Sequence, residues 1–172
     1  MAAYSGLRAS ELASLTLAEL DLGGNPPTVR VLAAYAKNRR EDIIPLPVEI
    51  ASYIQSWLHQ RPTLPGPGVR LWPGTWYQKA AHMIRLDLEA AGINVVNASG
   101  QPADFHALRS IYATQLARLG LNLQTAQALM RHSDPRLTAR TYTKLGIVDL
   151  GRAVSRLAAS FSGSDLTAEG RG

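Results

Sequence analysis

The chain has 172 residues, with three lysines and fifteen arginines against thirteen acidic residues, and a formal net charge of +5. It contains no cysteine, which excludes disulfides, zinc–thiolate sites, iron–sulfur clusters and thiol nucleophiles. The length suits one ordinary domain with a short tail. Because the sequence has neither an apolar run of about 18 residues nor a signal-peptide pattern, we expect a soluble, intracellular protein.

The positive charge is concentrated in one part of the chain. Residues 101–146 hold six basic side chains against Asp104 and Asp134, a net charge of +4. Arginine is better suited than lysine to bidentate binding of phosphate oxygens. A basic block in one segment indicates an anionic partner. A genome that favours arginine codons, or a solvated helix face, explains the same composition equally well.

The first part of the chain predicts a helix, a β-hairpin and a second helix. Asn38 and its basic neighbours form the polar connection of the hairpin. The predicted elements, in chain order, are a helix from a Ser10 cap to Leu15, a turn over 21–25, β-type runs over 28–34 and 42–46, a helix opened by Pro47 and ending near His59, and a proline- and glycine-rich surface loop over 62–74.

The second part predicts helices alone. They are a helix over 76–91 ended by Gly92, a loop over 93–103, a helix over 105–119 stopped by Gly120, a helix capped by Asn122 and reaching Met130, a turn at 133–135, a short helix to Tyr142 and an amphipathic helix over 148–159. The expected fold is mainly α with a small antiparallel β-sheet. One domain over residues 1–160 is followed by a disordered tail, 161–172.

Two short motifs early in the chain combine charge with defined backbone positions. In the segment GLRASEL, residues 6–12, Arg8 and Glu11 stand one helical turn apart. Lys37 lies on the connection of the predicted hairpin, where a lysine can reach into a groove and deliver a proton or a charge. Taken singly, the first motif is typical of a surface ion pair, and the second of a charged turn that protects an edge strand.

Two further motifs lie in the basic segment. His106 and Arg109 project to the same side of a predicted helix, where an arginine fork and a histidine hydrogen bond can together hold a phosphate. His132 opens the sequence HSD, and Tyr142 follows ten residues later. An incidental pair at a helix start, and a half-buried core tyrosine, explain these residues when each is taken alone.

In this order, the four motifs resemble the tyrosine recombinase, or phage integrase, family. That family is marked by an arginine in a GLR-x-x-E-L segment, a lysine on a β-hairpin, an H-x-x-R pair, a further histidine or tryptophan, and a nucleophilic tyrosine near the C-terminus. The matching residues are Arg8 with Glu11, Lys37, His106 with Arg109, His132 and Tyr142. The resemblance covers residues 6–145 and implies that residues 1–160 form a tyrosine-recombinase-like catalytic domain.

The resemblance implies site-specific recombination or integration of DNA. Tyr142 would attack a phosphodiester and leave a 3′-phosphotyrosyl bond and a free 5′-hydroxyl. A tyrosine phenol has an ordinary pKa of about 10, so it must lose its proton during the attack. Because the phosphotyrosyl bond keeps the energy of the phosphodiester, rejoining needs no ATP, no metal and no cofactor.

The other matching residues receive roles from the same resemblance. Arg8 and Arg109 would clamp the non-bridging oxygens, and His132 would donate a further hydrogen bond. Lys37 would protonate the leaving 5′-oxygen as a general acid. His106 would either assist proton transfer at the nucleophile or bind the phosphate, and Glu11 would orient the arginine and the histidine as a supporting residue.

The implied partner is double-stranded DNA, in the cytoplasm and in a bacterial, phage or plasmid setting. The resemblance also implies a homo-oligomer, a tetramer on DNA, in which the 148–159 helix docks on a neighbouring copy. Packing of that helix within its own chain fits the same amphipathic pattern equally well.

Family members carry helices before the GLR segment and a separate N-terminal DNA-clamp domain. Arg8 lies seven residues after Met1, so we expect a chain that lacks the first helices and the clamp. Two alternatives therefore stay open. One is a non-catalytic DNA-binding remnant, and the other is a type IB topoisomerase-like enzyme, which shares the chemistry without exchanging strands between partners.

Overall fold

The computed structural model describes residues 1–97, 100–142 and Gly151. The helices are α1 (Ala2–Ser5), α2 (Ala9–Ser14), α3 (Val48–His59), α4 (Ala80–Ala90), α5 (His106–Arg118), α6 (Leu123–Met130) and α7 (Pro135–Tyr142). The strands are β1 (Leu20–Asp21), β2 (Thr28–Val31) and β3 (Asp42–Pro45), and 3₁₀ turns cover Leu17–Glu19 and Trp76–Lys79. The described part is therefore mainly helical with one small sheet, as predicted.

The sheet is antiparallel in the order β1-β2-β3, and its register follows from alternation of side chains. Val29 pairs with Ile44, and both are buried, whereas Ile43 points to solvent. A strand places successive side chains on opposite faces, so this register buries one apolar face. The ten residues between β2 and β3, residues 32–41, are here called the hairpin connection.

Two apolar clusters form the interior. The sheet core is built from the buried face of the sheet, α2, α3 and the loop after α3; its fully buried members include Leu7, Leu15, Val31 and Leu71. The helical core joins α5 to α6 through Tyr112, Leu116 and Met130, among others. The predicted site residues at positions 8, 109 and 132 come from the segments where these two cores meet.

The elements that the sequence predicts with a cap or a breaker are confirmed within a few residues. Asn122 caps α6 by accepting a hydrogen bond from the backbone N–H of Thr125 at 2.8 Å, and Gly92 and Gly120 follow α4 and α5 in the left-handed conformation. The predicted 76–91 helix is a 3₁₀ turn followed by α4. The 148–159 helix and the tail from Ser160 lie outside the described residues, apart from Gly151.

Three short elements and one cap differ from the sequence prediction. The four-residue α1, the 3₁₀ turn Leu17–Glu19 and the two-residue β1 have no prediction, because none is long enough to show a periodicity. Helix α2 begins at Ala9, with Arg8 rather than Ser10 at its N-terminal cap. In the described part of the chain, no helix is long and apolar enough to cross a membrane.

Candidate active site

The turn before α2 sets the direction of Arg8. Gly6 ends α1 in the left-handed conformation, with φ of 62°, which favours glycine. A Cβ atom at Gly6 would lie 2.8 Å from Cδ1 of Tyr112, so the chain passes against α5 with no room for a side chain. Leu7 is buried in the sheet core, and Arg8 therefore points away from that core.

Glu11 is fully buried and holds Arg8 in two ways. Its Oε2 accepts a hydrogen bond from the backbone N–H of Arg8 at 2.9 Å, which caps the start of α2. Its Oε1 lies 3.0 Å from Nη1 of Arg8. Burial acts to raise the pKa of Glu11, but hydrogen bonds from Arg131 and from the Arg8 backbone, with the charges of both arginines, hold that pKa below its usual value. Glu11 is therefore a carboxylate.

Arg109 ties three helices together from inside the protein. It lies on α5 and is almost fully buried, and its guanidinium donates to the carbonyl oxygens of Gly6 and Met130. Those carbonyls stand at the ends of α1 and α6, where helices leave acceptors unpaired. Burial, and then the charges of Arg8 and Arg131, lower the pKa of Arg109 to about 10. Arg109 thus stays a cation at neutral pH, in a place that already holds excess positive charge.

His132 is a neutral imidazole next to these cations. It follows α6 and shares a hydrogen bond of 2.9 Å between its Nδ1 and Oγ1 of Thr138 on α7. Burial, and then the charges of Arg109 and Arg8, lower the pKa of His132 to about 4. When the Thr138 hydroxyl donates to Nδ1, the other ring nitrogen carries the proton and is a donor.

Two pockets share Arg8 and bring the predicted residues together. The hairpin-side pocket, of about 150 Å³, is lined by Arg8, Lys37 and His132, among others. The helix-side pocket, of about 280 Å³, is lined by Arg8, His106 and Arg109, among others. Together, the two pockets therefore contain five predicted site residues, including Arg8, from four segments of the chain. Lys37 and His106 are exposed, so both are accessible from solvent.

Tyr142 is the last residue of helix α7 that the structure describes, and α7 packs against α5 and α6. Its backbone is thereby carried by the same helices as Arg109 and His132, while its side chain lies outside the described part of the structure. Tyr112 is the other tyrosine of the basic segment, and it is a core residue. Burial raises the pKa of Tyr112, which makes it a poor nucleophile.

Sequence reasoning missed Arg131 and Asp42. Arg131 Nη2 lies 2.6 Å from Oε2 of Glu11, and its Nη1 lies 3.4 Å from Oδ2 of Asp42. Arg131 stands directly before His132 and directly after α6, so its sequence position pointed to the site. Nothing in the sequence shows that its side chain turns inward, because an arginine at the end of a helix is usually exposed.

The site is a cationic cluster with too few carboxylates to neutralise it. Arg8 and Arg131 pair with Glu11, Arg109 interacts with it electrostatically, and Asp42 pairs with Arg131. Within the described ranges, no group of three or more histidine, aspartate or glutamate side chains is arranged to hold a metal ion. Concentrated guanidinium charge with an adjacent hydrogen-bond donor is suited to an anionic group with several oxygens, such as a phosphodiester.

The comparison with known protein families agrees with this geometry. The sequence pattern of the phage integrase family matches residues 1–146. The chain belongs to the phage integrase family. Among curated proteins, it is 33% identical over 150 residues to tyrosine recombinase XerC of Stutzerimonas stutzeri (strain A1501), which covers 86% of this chain and 47% of the relative. The chain thus spans about half the length of this family member.

Solved structures of family members share the fold. The crystal structure of XerA recombinase superposes with a TM-score of 0.70 at 23% identity, over 90% of this chain and 53% of that one. The Tn1549 transposon integrase in complex with transposon right end DNA gives a TM-score of 0.63 at 24% identity, over 91% of this chain and 56% of that one. These neighbours confirm the tyrosine-recombinase-like catalytic fold that the motifs predict.

Proposed function

We propose that this chain carries the catalytic centre of a site-specific DNA strand transferase, which cuts and rejoins DNA through a 3′-phosphotyrosyl intermediate. The proposal rests on the position of Arg8, which lines both pockets of the site. It shares one pocket with Lys37 and His132 and the other with His106 and Arg109. The family to which the chain belongs supports it. Because the chain spans about half of a full-length relative, the proposal concerns the chemistry of this centre.

The nucleophile in this proposal is Tyr142. Its phenolic oxygen attacks the phosphorus, so that an oxygen–phosphorus bond forms as the bond from phosphorus to the 5′-oxygen breaks. The phenolic proton leaves to a nearby base, and the 5′-oxygen takes up a proton. No bond energy is lost to water, so the reverse attack by a 5′-hydroxyl reseals the strand.

The arginines stabilise the charge that develops on the non-bridging oxygens. Glu11 keeps Arg8 at the start of α2, and the carbonyls of Gly6 and Met130 keep Arg109 in place. Donors that are fixed before the reaction cost no reorganisation during it. His132, neutral at pH 7, adds a hydrogen bond without a further positive charge.

Proton transfer in this proposal involves the exposed residues. Lys37, on the hairpin connection, protonates the leaving 5′-oxygen from the hairpin-side pocket. His106, at the first turn of α5, lines the helix-side pocket and either takes the phenolic proton or binds the phosphate. The two residues thus line different pockets that share Arg8, which supports separate roles for them at the attacking and the leaving oxygen.

The decisive experiment captures the covalent intermediate. We would offer the full chain a pool of 5′-labelled DNA duplexes, randomised around a nick placed just downstream of the scissile position, so that the released fragment diffuses away. A denaturant-resistant protein–DNA adduct is expected for the native chain and none for Tyr142→Phe, with Tyr112→Phe as the matched control that still forms it. An adduct that persists in Tyr142→Phe contradicts the assignment of the nucleophile.

Double-stranded DNA is the proposed partner, and its chemistry gives a second test. A related integrase was solved in complex with transposon DNA, and the arginine cluster here suits phosphates. Binding should weaken with salt, log K falling by about 0.9 per phosphate contact for each tenfold rise. Salt-sensitive binding with no adduct would favour the DNA-binding remnant, and relaxation of a supercoiled plasmid without recombinants would favour topoisomerase-like activity. Because the substrate is DNA, we propose a cytoplasmic location.

We also propose that the chain acts as a tetramer on DNA through residues 148–159. An apolar groove of about 620 Å³, lined by residues of α1, α5 and the end of β3, offers a surface that matches the apolar side of that amphipathic pattern. Light scattering with and without a duplex should show assembly that Leu157→Glu abolishes. A Leu157→Glu chain that still assembles would contradict this contact.

A further inference from the structure

Arg131 has a backbone conformation that is unusual for arginine. It ends α6 with φ of 53° and ψ of 39°, in the left-handed region that favours glycine or asparagine. Arg39, on the hairpin connection, has nearly the same φ, 54°, but its side chain is exposed. An arginine held in this conformation with its side chain buried must be stabilised by what the side chain contacts.

The Arg131 guanidinium forms a fork on Glu11. Its Nη2 and Nη1 lie 2.6 Å and 3.3 Å from Oε2 and Oε1 of Glu11. The Arg131 side chain is 6% exposed and that of Glu11 is 0% exposed. A parallel pair of charge-assisted hydrogen bonds out of contact with water has a well-defined geometry, so Arg131 fixes the plane of the carboxylate to which Arg8 also binds.

The same guanidinium reaches the hairpin. Its Nη1 lies 3.4 Å from Oδ2 of Asp42, the first residue of β3. That oxygen also accepts a hydrogen bond from Nδ2 of Asn38 at 3.4 Å, and Asn38 is the neighbour of Lys37. A continuous series of polar contacts therefore runs from the hairpin connection through Asp42, Arg131 and Glu11.

The contacts of Arg131 favour an indirect role. Both terminal nitrogens of its guanidinium face carboxylates, whose negative charge neutralises it, whereas those of Arg109 face uncharged backbone carbonyls. The Nε of Arg131 is buried without a hydrogen-bond partner in the described structure. Arg8, by contrast, keeps 28% of its side chain exposed. Because Arg131 occupies Glu11 with two nitrogens, Arg8 retains donors for a phosphate.

We propose that Arg131 is a positioning residue that sets the placement of the Lys37 connection relative to the Arg8–Glu11 turn, by bridging Asp42 and Glu11. The inference rests on the proposed function, since it gives Lys37 the role of general acid. It predicts that loss of Arg131 harms the step that needs a proton from Lys37 more than it harms attack on the phosphorus.

The test compares two leaving groups on the duplex that the native chain captures best. One duplex carries the ordinary 5′-oxygen and the other carries sulfur at that bridging position, because a thiol has an ordinary pKa of about 8.5 and leaves without a proton. Lys37→Ala should be slow on oxygen and restored on sulfur, whereas Arg8→Ala should stay slow on both. These two variants test the proposed function by itself.

Arg131→Gly is the central variant, since glycine suits the backbone there. We expect its adduct formation to slow by about 10–100-fold on oxygen, the usual cost of losing an orienting partner, and by at least several-fold less on sulfur. Arg131→Lys, which keeps the charge but not the fork, should fall between. Arg39→Gly removes an arginine from the same backbone conformation and should keep the native ratio of the two rates. Equal slowing of Arg131→Gly on both substrates, or no slowing, overturns the inference.

A second measurement needs no activity and decides the matter if no duplex is captured. The urea midpoint of unfolding would be measured for Arg131→Gly, Asp42→Asn and the double variant of the full chain. A midpoint shift that is clearly non-additive is expected, since the two side chains touch. Additive shifts mean that no bridge exists and overturn the inference. If Lys37→Ala is not restored by sulfur while the shifts are non-additive, the proposed role of Lys37 fails and the bridge stands.

Discussion

The two pockets beside Arg8 are built in different ways. In the helix-side pocket, Arg109 stands on the 13-residue α5 and is fixed by carbonyls from two other helices. In the hairpin-side pocket, Lys37 stands on a ten-residue connection that is mostly exposed. The group assigned to charge stabilisation is therefore rigidly held, whereas the group assigned to proton delivery is held through Asn38, Asp42 and Arg131. Charge stabilisation needs donors that are placed in advance, and a proton donor must reach an oxygen that is moving away.

The largest effect is expected at Arg8, because it belongs to both pockets. Arg8→Ala should reduce the rate of adduct formation by about 10²–10³-fold, or roughly 3–4 kcal/mol of transition-state stabilisation. Glu11 keeps its pair with Arg131, so the fold should persist. Single-turnover rates at saturating DNA would measure the loss. The control is Arg136→Gln, at an exposed arginine that pairs with Asp134. Equal losses of rate in both variants would show that Arg8 contributes no more to the reaction than a surface arginine does.

Gly6 tests how far the helix-side pocket depends on the start of the chain. Gly6→Ala forces a left-handed alanine, at about 1–2 kcal/mol, and pushes a Cβ against Tyr112, at about 1 kcal/mol or more. We expect the free energy of unfolding to fall by about 2–3 kcal/mol, measured in urea. Gly68 is also left-handed but lies in open space, so Gly68→Ala should lose only the roughly 1–2 kcal/mol that a left-handed alanine costs. If the two variants lose the same amount, the contact with α5 is unimportant.

His132 makes the hairpin-side pocket sensitive to acid. Its pKa in the folded chain is about 4, below its ordinary 6.5, so the unfolded chain takes up the proton first. The stability that this histidine contributes is therefore complete above about pH 6.5 and is lost as the pH falls through 4. The urea midpoint should drop less between pH 7 and pH 4.5 in His132→Gln than in the native chain. As a control at an exposed histidine, the urea midpoint of His59→Gln should drop by as much as that of the native chain.

Asn122 gives the smallest expected effect and separates stability from chemistry. Asn122→Ala removes the cap of α6 and should cost about 1 kcal/mol of unfolding free energy. The cap lies at the opposite end of α6 from Arg131 and His132, so adduct formation well below the melting temperature should be unchanged. A cleavage defect as large as that of Arg131→Gly would mean that both pockets respond to general loosening of α6.

Local sequence signals predict the elements, and long-range contacts complete the site. Asn122, Gly120 and Pro47 mark helix boundaries by their own chemistry, and alternation around Val29 and Ile44 fixes the hairpin register. The motifs also predicted that Arg8 and Glu11 would pair, and they do so at 3.0 Å. No local signal could show that Arg131 turns inward, because its partners lie 120 and 89 residues away and its left-handed backbone is unusual for arginine.

The hydrogen bond from Arg109 to Gly6 spans 103 residues, and this separation has a consequence for synthesis. A growing chain presents Arg8 and Glu11 long before Arg109 and Arg131 exist. At about 5–20 residues per second, a hundred residues take on the order of 5–20 s. During that time the N-terminal segment carries one arginine beside one carboxylate, with no excess of positive charge. The arginine cluster forms only when α5 and the residues after α6 pack against the turn before α2, so a chain that has not yet reached Arg131 lacks the cluster on which the proposed function depends.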